Sequence, residues 1–215
     1  MFKYFLFDFD GTLLDSDQMI VVTFEDLYKL FRPNDSYDPK SFLRFSGPPI
    51  KESLLEEFPN VDQDLAFKEF VRISEINYVK YVKPFPYVKE CLLDLKSKGN
   101  KIALITSKGR EATDFALKLV KLDNLFDFVI CADEVKRVKP DPEGILLALK
   151  SLNVLNKDEA IYIGDSMYDY LTAKNASVKF AYVSFSPRKL FKGCKANYIV
   201  NSYKTFLEDL SHEKN

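Results

Sequence analysis

Tyr4-Phe5-Leu6-Phe7-Asp8-Phe9-Asp10-Gly11-Thr12-Leu13-Leu14-Asp15-Ser16 is the stretch from which the fold can be read. Its first four residues form a continuous apolar run, the pattern of a strand buried on both faces and hence of a parallel sheet. The run ends in two carboxylates spaced i, i+2, followed by a glycine that permits a sharp turn. In open α/β sheets, ligand chemistry lies just beyond the carboxyl ends of the strands. There, one carboxylate and a neighbouring backbone carbonyl can hold a hard cation while the second acid moves protons. Asp-Gly between apolar runs is also the strongest short hairpin signal, so the stretch must be weighed with the rest of the chain.

The totals narrow the classes. With 215 residues the chain can form one large domain or two modest ones. Its 31 basic and 32 acidic residues nearly cancel, and no Lys/Arg-rich block suggests a nucleic-acid partner. No apolar run is long enough for a membrane span, and the N-terminus lacks the pattern of a signal peptide. A soluble, cytoplasmic protein is expected. Cys91, Cys131 and Cys194 show no C-x-x-C pairing and read as reduced thiols. The only histidine, His212, sits in a polar tail, which disfavours a Ser-His-Asp triad or a histidine metal site. Neither G-x-G-x-x-G nor a P-loop is present. Chemistry here falls to carboxylates, hydroxyls and lysines.

After Ser16 the period becomes helical. Ile20, Val21, Phe24, Leu27, Tyr28 and Phe31 share one face, and Arg32-Pro33 ends the helix. A broken stretch, Pro39 to Phe45, leads to the turn Ser46-Gly47-Pro48-Pro49. A short helix with Leu54, Leu55 and Phe58 follows, then a longer one marked by Phe67, Phe70, Val71, Ser74 and Tyr78. From Lys83 strands and helices alternate. Strands are expected at 102–105, 128–132, 160–163, 180–183 and 198–200. The intervening helices carry Val88, Cys91, Leu92 and Leu95, then Phe115, Ala116, Leu119 and Val120, then a helix opening at Pro142 behind Asp141, and one ending near Ala176. This rhythm predicts an α/β fold, a doubly wound, Rossmann-like parallel sheet core (1–16 and 83–215) with an inserted all-helical domain (17–82).

Parallel strands bring their C-terminal ends to one edge, so the polar residues there form one set: Asp8 and Asp10, Thr106 and Ser107, Lys139, Asp165 and Asp169. Thr106-Ser107 taken alone reads first as a helix cap, which is compatible with holding phosphate oxygens at a helix N-terminus. Lys139 lies in Val138-Lys139-Pro140-Asp141-Pro142, where two prolines stiffen the backbone. Asp165 and Asp169 are four apart at a helix start, where acids also complement the helix dipole. Carboxylates converging there with Asp8 would repel unless a cation sat between them, and an all-oxygen site suits Mg²⁺.

Four segments, Asp8-Phe9-Asp10-Gly11-Thr12, Ile105-Thr106-Ser107-Lys108, Val138-Lys139-Pro140-Asp141-Pro142 and Gly164-Asp165-Ser166-(x)₂-Asp169, resemble in order the four motifs of the haloacid dehalogenase-like (HAD) phosphohydrolase superfamily. With the helical insert the likeness spans nearly the whole chain. An insert directly after the first strand resembles the helical-cap subgroup, which includes phosphoglycolate phosphatases, pyrophosphatases, nucleotidases and β-phosphoglucomutases. Ser46-Gly47-Pro48-Pro49 resembles the cap loop of the phosphoglycolate phosphatase-like members. Two departures are Ser177, where relatives usually have glycine, and the lack of glycine after the strand at 180–183.

The resemblance implies an Mg²⁺-dependent phosphatase acting on a small-molecule phosphate ester. Asp8 would be the nucleophile, forming an aspartyl phosphate, and Asp10 the acid and base. Lys139 would neutralise charge, and Thr106 and Ser107 would bind phosphate. Asp8, the carbonyl of Asp10 and Asp165 would hold the metal, with Asp169 supporting its water shell or Lys139. Arg44, Gly47 and Lys51 are candidates for the leaving group. Pyrophosphatase, β-phosphoglucomutase and an inactive binding homologue are the alternatives. The mutase reading lacks the histidine that such relatives carry near Met19 and Ile20, and Asp10 disfavours a dehalogenase. Substrate identity and oligomeric state stay open at this level.

Overall fold

A computed structural model describes residues 2–186 and 193–211; His212 lies outside the described residues. The chain divides into two compact units, Met1–Leu14 with Pro84–Asn215, and Asp15–Lys83.

The larger unit is built on β1 (Tyr4–Phe7), β4 (Lys101–Ile105), β5 (Phe128–Ile130), β6 (Ala160–Gly164), β7 (Lys179–Val183) and β8 (Tyr198–Val200). The chain crosses between the units at two short strands, β2 (Leu14–Asp15) and β3 (Lys83–Pro84). The six main strands form one sheet in the order β5-β4-β1-β6-β7-β8, and every neighbouring pair is parallel. Successive strands are therefore added first on one side of β1 and then on the other. This makes the gap beyond β1 the topological switch point, where such sheets place their ligands.

Helices α4 (Val88–Ser97), α5 (Arg110–Leu119), α6 (Glu143–Ser151), α7 (Met167–Ala176) and α8 (Phe206–Asp209) complete this unit. The alternating side chains of β1 show why both sheet faces are covered. Leu6 packs with Ile145, Ala148 and Leu149 of α6 and Ala173 and Ala176 of α7. Phe5 and Phe7 point the other way, with ring centroids 5.9 and 5.7 Å from Phe206 of α8. Burying side chains of this size contributes about 1.5–3 kcal/mol each.

Between the two crossings only helices occur: α1 (Asp17–Phe31), a 3₁₀ helix at Pro39–Phe45, α2 (Ile50–Glu57) and α3 (Gln63–Tyr81). Phe24 stacks on Phe45 at 4.4 Å and on Phe42 at 5.5 Å, inside a core shared with Leu27, Leu54 and Phe58. The 39–45 stretch, expected to be broken, is thus a 3₁₀ segment that carries Phe42 and Phe45 inward.

Two helix faces differ from the apolar pattern. In α5 the buried stripe is Thr113, Ala116 and Leu117, while Phe115 and Leu119 are exposed. In α3 it is Ala66, Ile73, Asn77 and Tyr78, with Val71 exposed. The reason is the same in both: a polar residue can be buried once its hydrogen bonds are satisfied. The Thr113 hydroxyl donates to Gly109 O at 2.8 Å, and the Asn77 amide donates to Thr23 Oγ1 at 3.3 Å. In α2, Leu55 is likewise exposed. Helix α6 begins at Glu143, one residue later than expected, with Pro142 at the cap position; Asp141 nevertheless accepts from the Glu143 N–H at 3.0 Å.

Candidate active site

The loop leaving β1 is held by its own backbone. Gly11 takes a φ of 83°, open to glycine without strain. Its N–H donates to Leu14 O at 2.7 Å, and the Leu13 and Leu14 N–H groups both reach Phe9 O. Tyr203, beyond β8, ties the turn down by donating to Thr12 O at 2.9 Å. These bonds set Asp8, Asp10 and Thr12 at the strand end.

The other expected residues meet them there. Lys139 is buried, and its ammonium lies 2.6 Å from Asp8 Oδ1 and 2.7 Å from Asp169 Oδ1. Thr12 Oγ1 stands 3.3 Å from Asp8 Oδ2 and 3.4 Å from Asp165 Oδ1. Asp8, Asp165 and Asp169 each offer a carboxylate oxygen within 4.8 Å of the others. Three buried carboxylates drawn this close together form an all-oxygen donor set of the kind that suits a hard cation.

Asp169 is engaged at both oxygens. Its Oδ1 also accepts from Tyr162 OH at 3.0 Å, and its Oδ2 accepts from the Ser166 N–H at 3.1 Å and the Ser166 hydroxyl. Ser166 Oγ in turn accepts from the Asp169 N–H, closing a capping box at the start of α7. With one oxygen on the Lys139 ammonium and the other on Ser166, Asp169 is placed to orient Lys139. Asp165 is held as well: Ser186 Oγ donates to its Oδ2 at 2.9 Å.

The electrostatics follow from burial. Burial pushes the Asp8 carboxyl up to about 6, Asp169 adds to the rise, and Lys139 opposes it. Burial also works against charge on Asp169 and Lys139. Mutual attraction outweighs it in both, holding the Asp169 carboxyl below and the Lys139 ammonium above their ordinary values. Burial and the neighbouring Asp169 charge raise the Tyr162 phenol well above its usual range, so it donates as a neutral hydroxyl.

Asp10 differs from its neighbour. Lys108 Nζ lies 2.8 Å from Asp10 Oδ2, whereas Oδ1 is buried with no hydrogen-bond partner among the described residues. Thr106 is buried at the end of β4, its Oγ1 accepting from the Lys108 N–H at 3.1 Å. The capping role is not its own, because α5 starts later, behind Gly109, and Asp133 accepts from the Arg110 N–H. Ser107 is partly exposed beside it.

The remaining candidates, Arg44, Gly47 and Lys51, belong to the helical unit. The Arg44 guanidinium is held by Glu57, Glu56 and Ser41 O and sits 4.2 Å over the Phe45 ring. Lys51 lies 5.0 Å over Phe67, and Gly47 has a φ of 120°.

Lys108, Tyr162, Ser186 and Tyr203 were not foreseen. Lys108 follows Thr106-Ser107 by one residue, a signal that was available. Tyr162 sits inside an apolar strand and read as core. Ser186 and Tyr203 have no local marker.

A parallel α/β sheet with this strand-end site is the architecture of a hydrolytic enzyme class, and comparison identifies it. A model of the family described as haloacid dehalogenase-like hydrolase matches residues 5–183, and the chain belongs to that family and is a phosphatase. The pyrophosphatase PpaX of Halalkalibacterium halodurans is 33% identical over 183 residues, covering 85% of this chain and 84% of that protein. A solved structure from Bacteroides fragilis, assigned as a haloacid dehalogenase-like hydrolase, superposes with a TM-score of 0.85 at 29% identity, covering 94% of this chain and 98% of the other. One from Thermotoga maritima, assigned as a β-phosphoglucomutase, gives 0.77 at 26% identity over 97% of this chain and 98% of the other. Among the described residues no helix is long and apolar enough to cross a membrane.

Proposed function

We propose that this phosphatase hydrolyses a small phosphomonoester through an aspartyl phosphate on Asp8. One observation carries the reading: Asp8 is anchored by Lys139 at 2.6 Å while Asp10, two residues on, keeps a buried oxygen without a partner among the described residues. That is a fixed nucleophile next to a carboxyl group with one oxygen left for proton transfer.

As the Asp8 oxygen bonds to phosphorus, the bond to the leaving oxygen breaks and Asp10 delivers a proton to it. Asp10, now a carboxylate, takes a proton from the water that attacks the aspartyl phosphate. The phosphorus bond to Asp8 then breaks and phosphate is released. Lys139 offsets charge on Asp8 and on the transferring group, and Asp169 with Tyr162 keeps the ammonium in place. Thr106 and Ser107 donate to phosphate oxygens. Mg²⁺, which suits the oxygen donors of Asp8, Asp165 and the Asp10 carbonyl, supplies further neutralisation of the phosphoryl charge.

The helical unit acts as the cap, and substrate choice falls to it. Gly47 and Lys51 come first there, since Arg44 is already held by Glu56 and Glu57. Phosphoglycolate-like acids, nucleotides and sugar phosphates form the substrate class. Pyrophosphate is the second reading, supported by the similarity to PpaX. Cys91, Cys131 and Cys194, none of them in a disulfide, fit a reducing, cytoplasmic setting.

The test is phosphate release from a panel of monoesters and pyrophosphate, with Mg²⁺ or EDTA. Release that needs the metal and vanishes in Asp8→Asn supports the reading, and the ranking names the substrate. Full activity in Asp8→Asn overturns it.

A further inference from the structure

Resting on the reading just given, we infer that Lys108 is the positioning residue of the acid–base step. It holds Asp10 so that its free oxygen faces the leaving group.

Three observations converge. The Lys108 ammonium is 2.8 Å from Asp10 Oδ2, with side chains only 19% and 26% exposed, so solvent screens the pair incompletely. The base of Lys108 is fixed at both ends: its N–H donates to Thr106 Oγ1 at 3.1 Å, and its carbonyl accepts from the Ala132 N–H at 3.0 Å. Asp10 Oδ1 is buried without a partner among the described residues. A charge-assisted bond to one carboxylate oxygen orients the other. The oxygen left over is the one with no other partner among the described residues.

Lys108 could instead bind the transferring phosphoryl group. The two roles separate by leaving group. Protonation by Asp10 matters for an alkyl phosphate, whose alkoxide leaves poorly, and hardly for 2,4-dinitrophenyl phosphate, whose phenolate leaves unaided. A phosphoryl ligand serves both esters alike. Because kcat/KM reports only the steps through phosphoryl transfer to Asp8, it isolates the acid step from the later base step.

The experiment measures kcat/KM for both esters with wild type, Asp8→Asn, Asp10→Asn, Lys108→Met, Lys108→Gln and Lys108→Arg. The dinitrophenyl-to-alkyl ratio is expected to rise about tenfold or more in Lys108→Met and Lys108→Gln, in the direction of Asp10→Asn, since general acid catalysis contributes about 10²–10⁴. Lys108→Arg, which keeps a cation near Asp10, should bring the ratio back toward wild type. A ratio unchanged in both Lys108→Met and Lys108→Gln while it rises in Asp10→Asn overturns the role of Lys108 alone. Activity retained in Asp8→Asn overturns the underlying reading as well.

Discussion

A Cβ placed on Gly164 would lie 2.4 Å from Cβ and 2.6 Å from Cγ of Asp169. Asp169 cannot retreat without giving up its bonds to Lys139, Tyr162 and Ser166. Glycine at the end of β6 is therefore what lets the α7 acid approach the sheet. Gly164→Ala should cost about 1–3 kcal/mol as an overpacked substitution, read by urea unfolding. It should also lower kcat by tenfold or more, because Lys139 moves with Asp169. Wild-type stability in this variant would count against the packing described.

Lys139 stands between two buried acids, so removing it leaves both uncompensated. Lys139→Met should destabilise by about 3–5 kcal/mol and abolish detectable phosphate release. Adding Asp8→Asn to it should restore part of the lost stability, because one of the stranded charges is gone. A double-mutant cycle of unfolding free energies checks this, and strict additivity would contradict the coupling.

The Asp8 carboxyl, ordinarily near 3.8, is pushed up to about 6 by burial and Asp169 against the pull of Lys139. Between those values the folded protein holds a proton that the unfolded chain has released. Its contribution to stability is therefore fully present below the ordinary value and lost as pH rises through about 6. Asp169 has the opposite sign: its lowered value gives stability above the ordinary range that is lost on acidification. Without metal, Asp8→Asn should gain stability relative to wild type on going from pH 4 to pH 7.5, by about 1–3 kcal/mol. Added Mg²⁺ should stabilise wild type more at pH 7.5 than at pH 5. Equal stabilisation at the two values, followed by thermal unfolding, would show that Asp8 is not the group the cation displaces a proton from.

Ser186 donates to Asp165 Oδ2 at 2.9 Å from a buried position. Hydrogen bonds of this kind orient a metal-binding carboxylate, and their loss weakens metal affinity about 10–100-fold. Ser186→Ala should therefore raise the Mg²⁺ concentration for half-maximal activity and weaken Mg²⁺ binding by calorimetry, with a smaller effect on kcat at saturating metal. Unaltered binding would place Ser186 outside the metal's support.

Ser177 ends α7 at φ 57°, ψ 46°, a left-handed conformation that costs a residue with a Cβ about 1–2 kcal/mol. Ser177→Gly should stabilise the protein by about 0.5–1 kcal/mol, the left-handed relief less the extra freedom of glycine in the unfolded chain. The corresponding rise in Tm is about 1–4 °C, with kcat unchanged. A fall in Tm would contradict it.

What the sequence determined by itself was local. Apolar runs ending in Asp8, Thr106 and Asp165 mark strands and their ends, because buried parallel strands need unbroken apolar stretches. Alternation with helices implied that those ends share an edge, which is why Asp8, Lys139, Asp165 and Asp169 could be collected before any coordinates. The faces of α3 and α5 were not legible, since Asn77 and Thr113 look like solvent residues until their partners Thr23 and Gly109 are known. The tertiary structure alone decided that β1 lies between β4 and β6. That order sets Lys108 against Asp10 and brings Thr12 within reach of Asp165, 153 residues away. Periodicity records which face of an element is buried, not which element will bury it. The second choice rests on packing summed over the whole sheet, and the surroundings of the candidate groups were settled there.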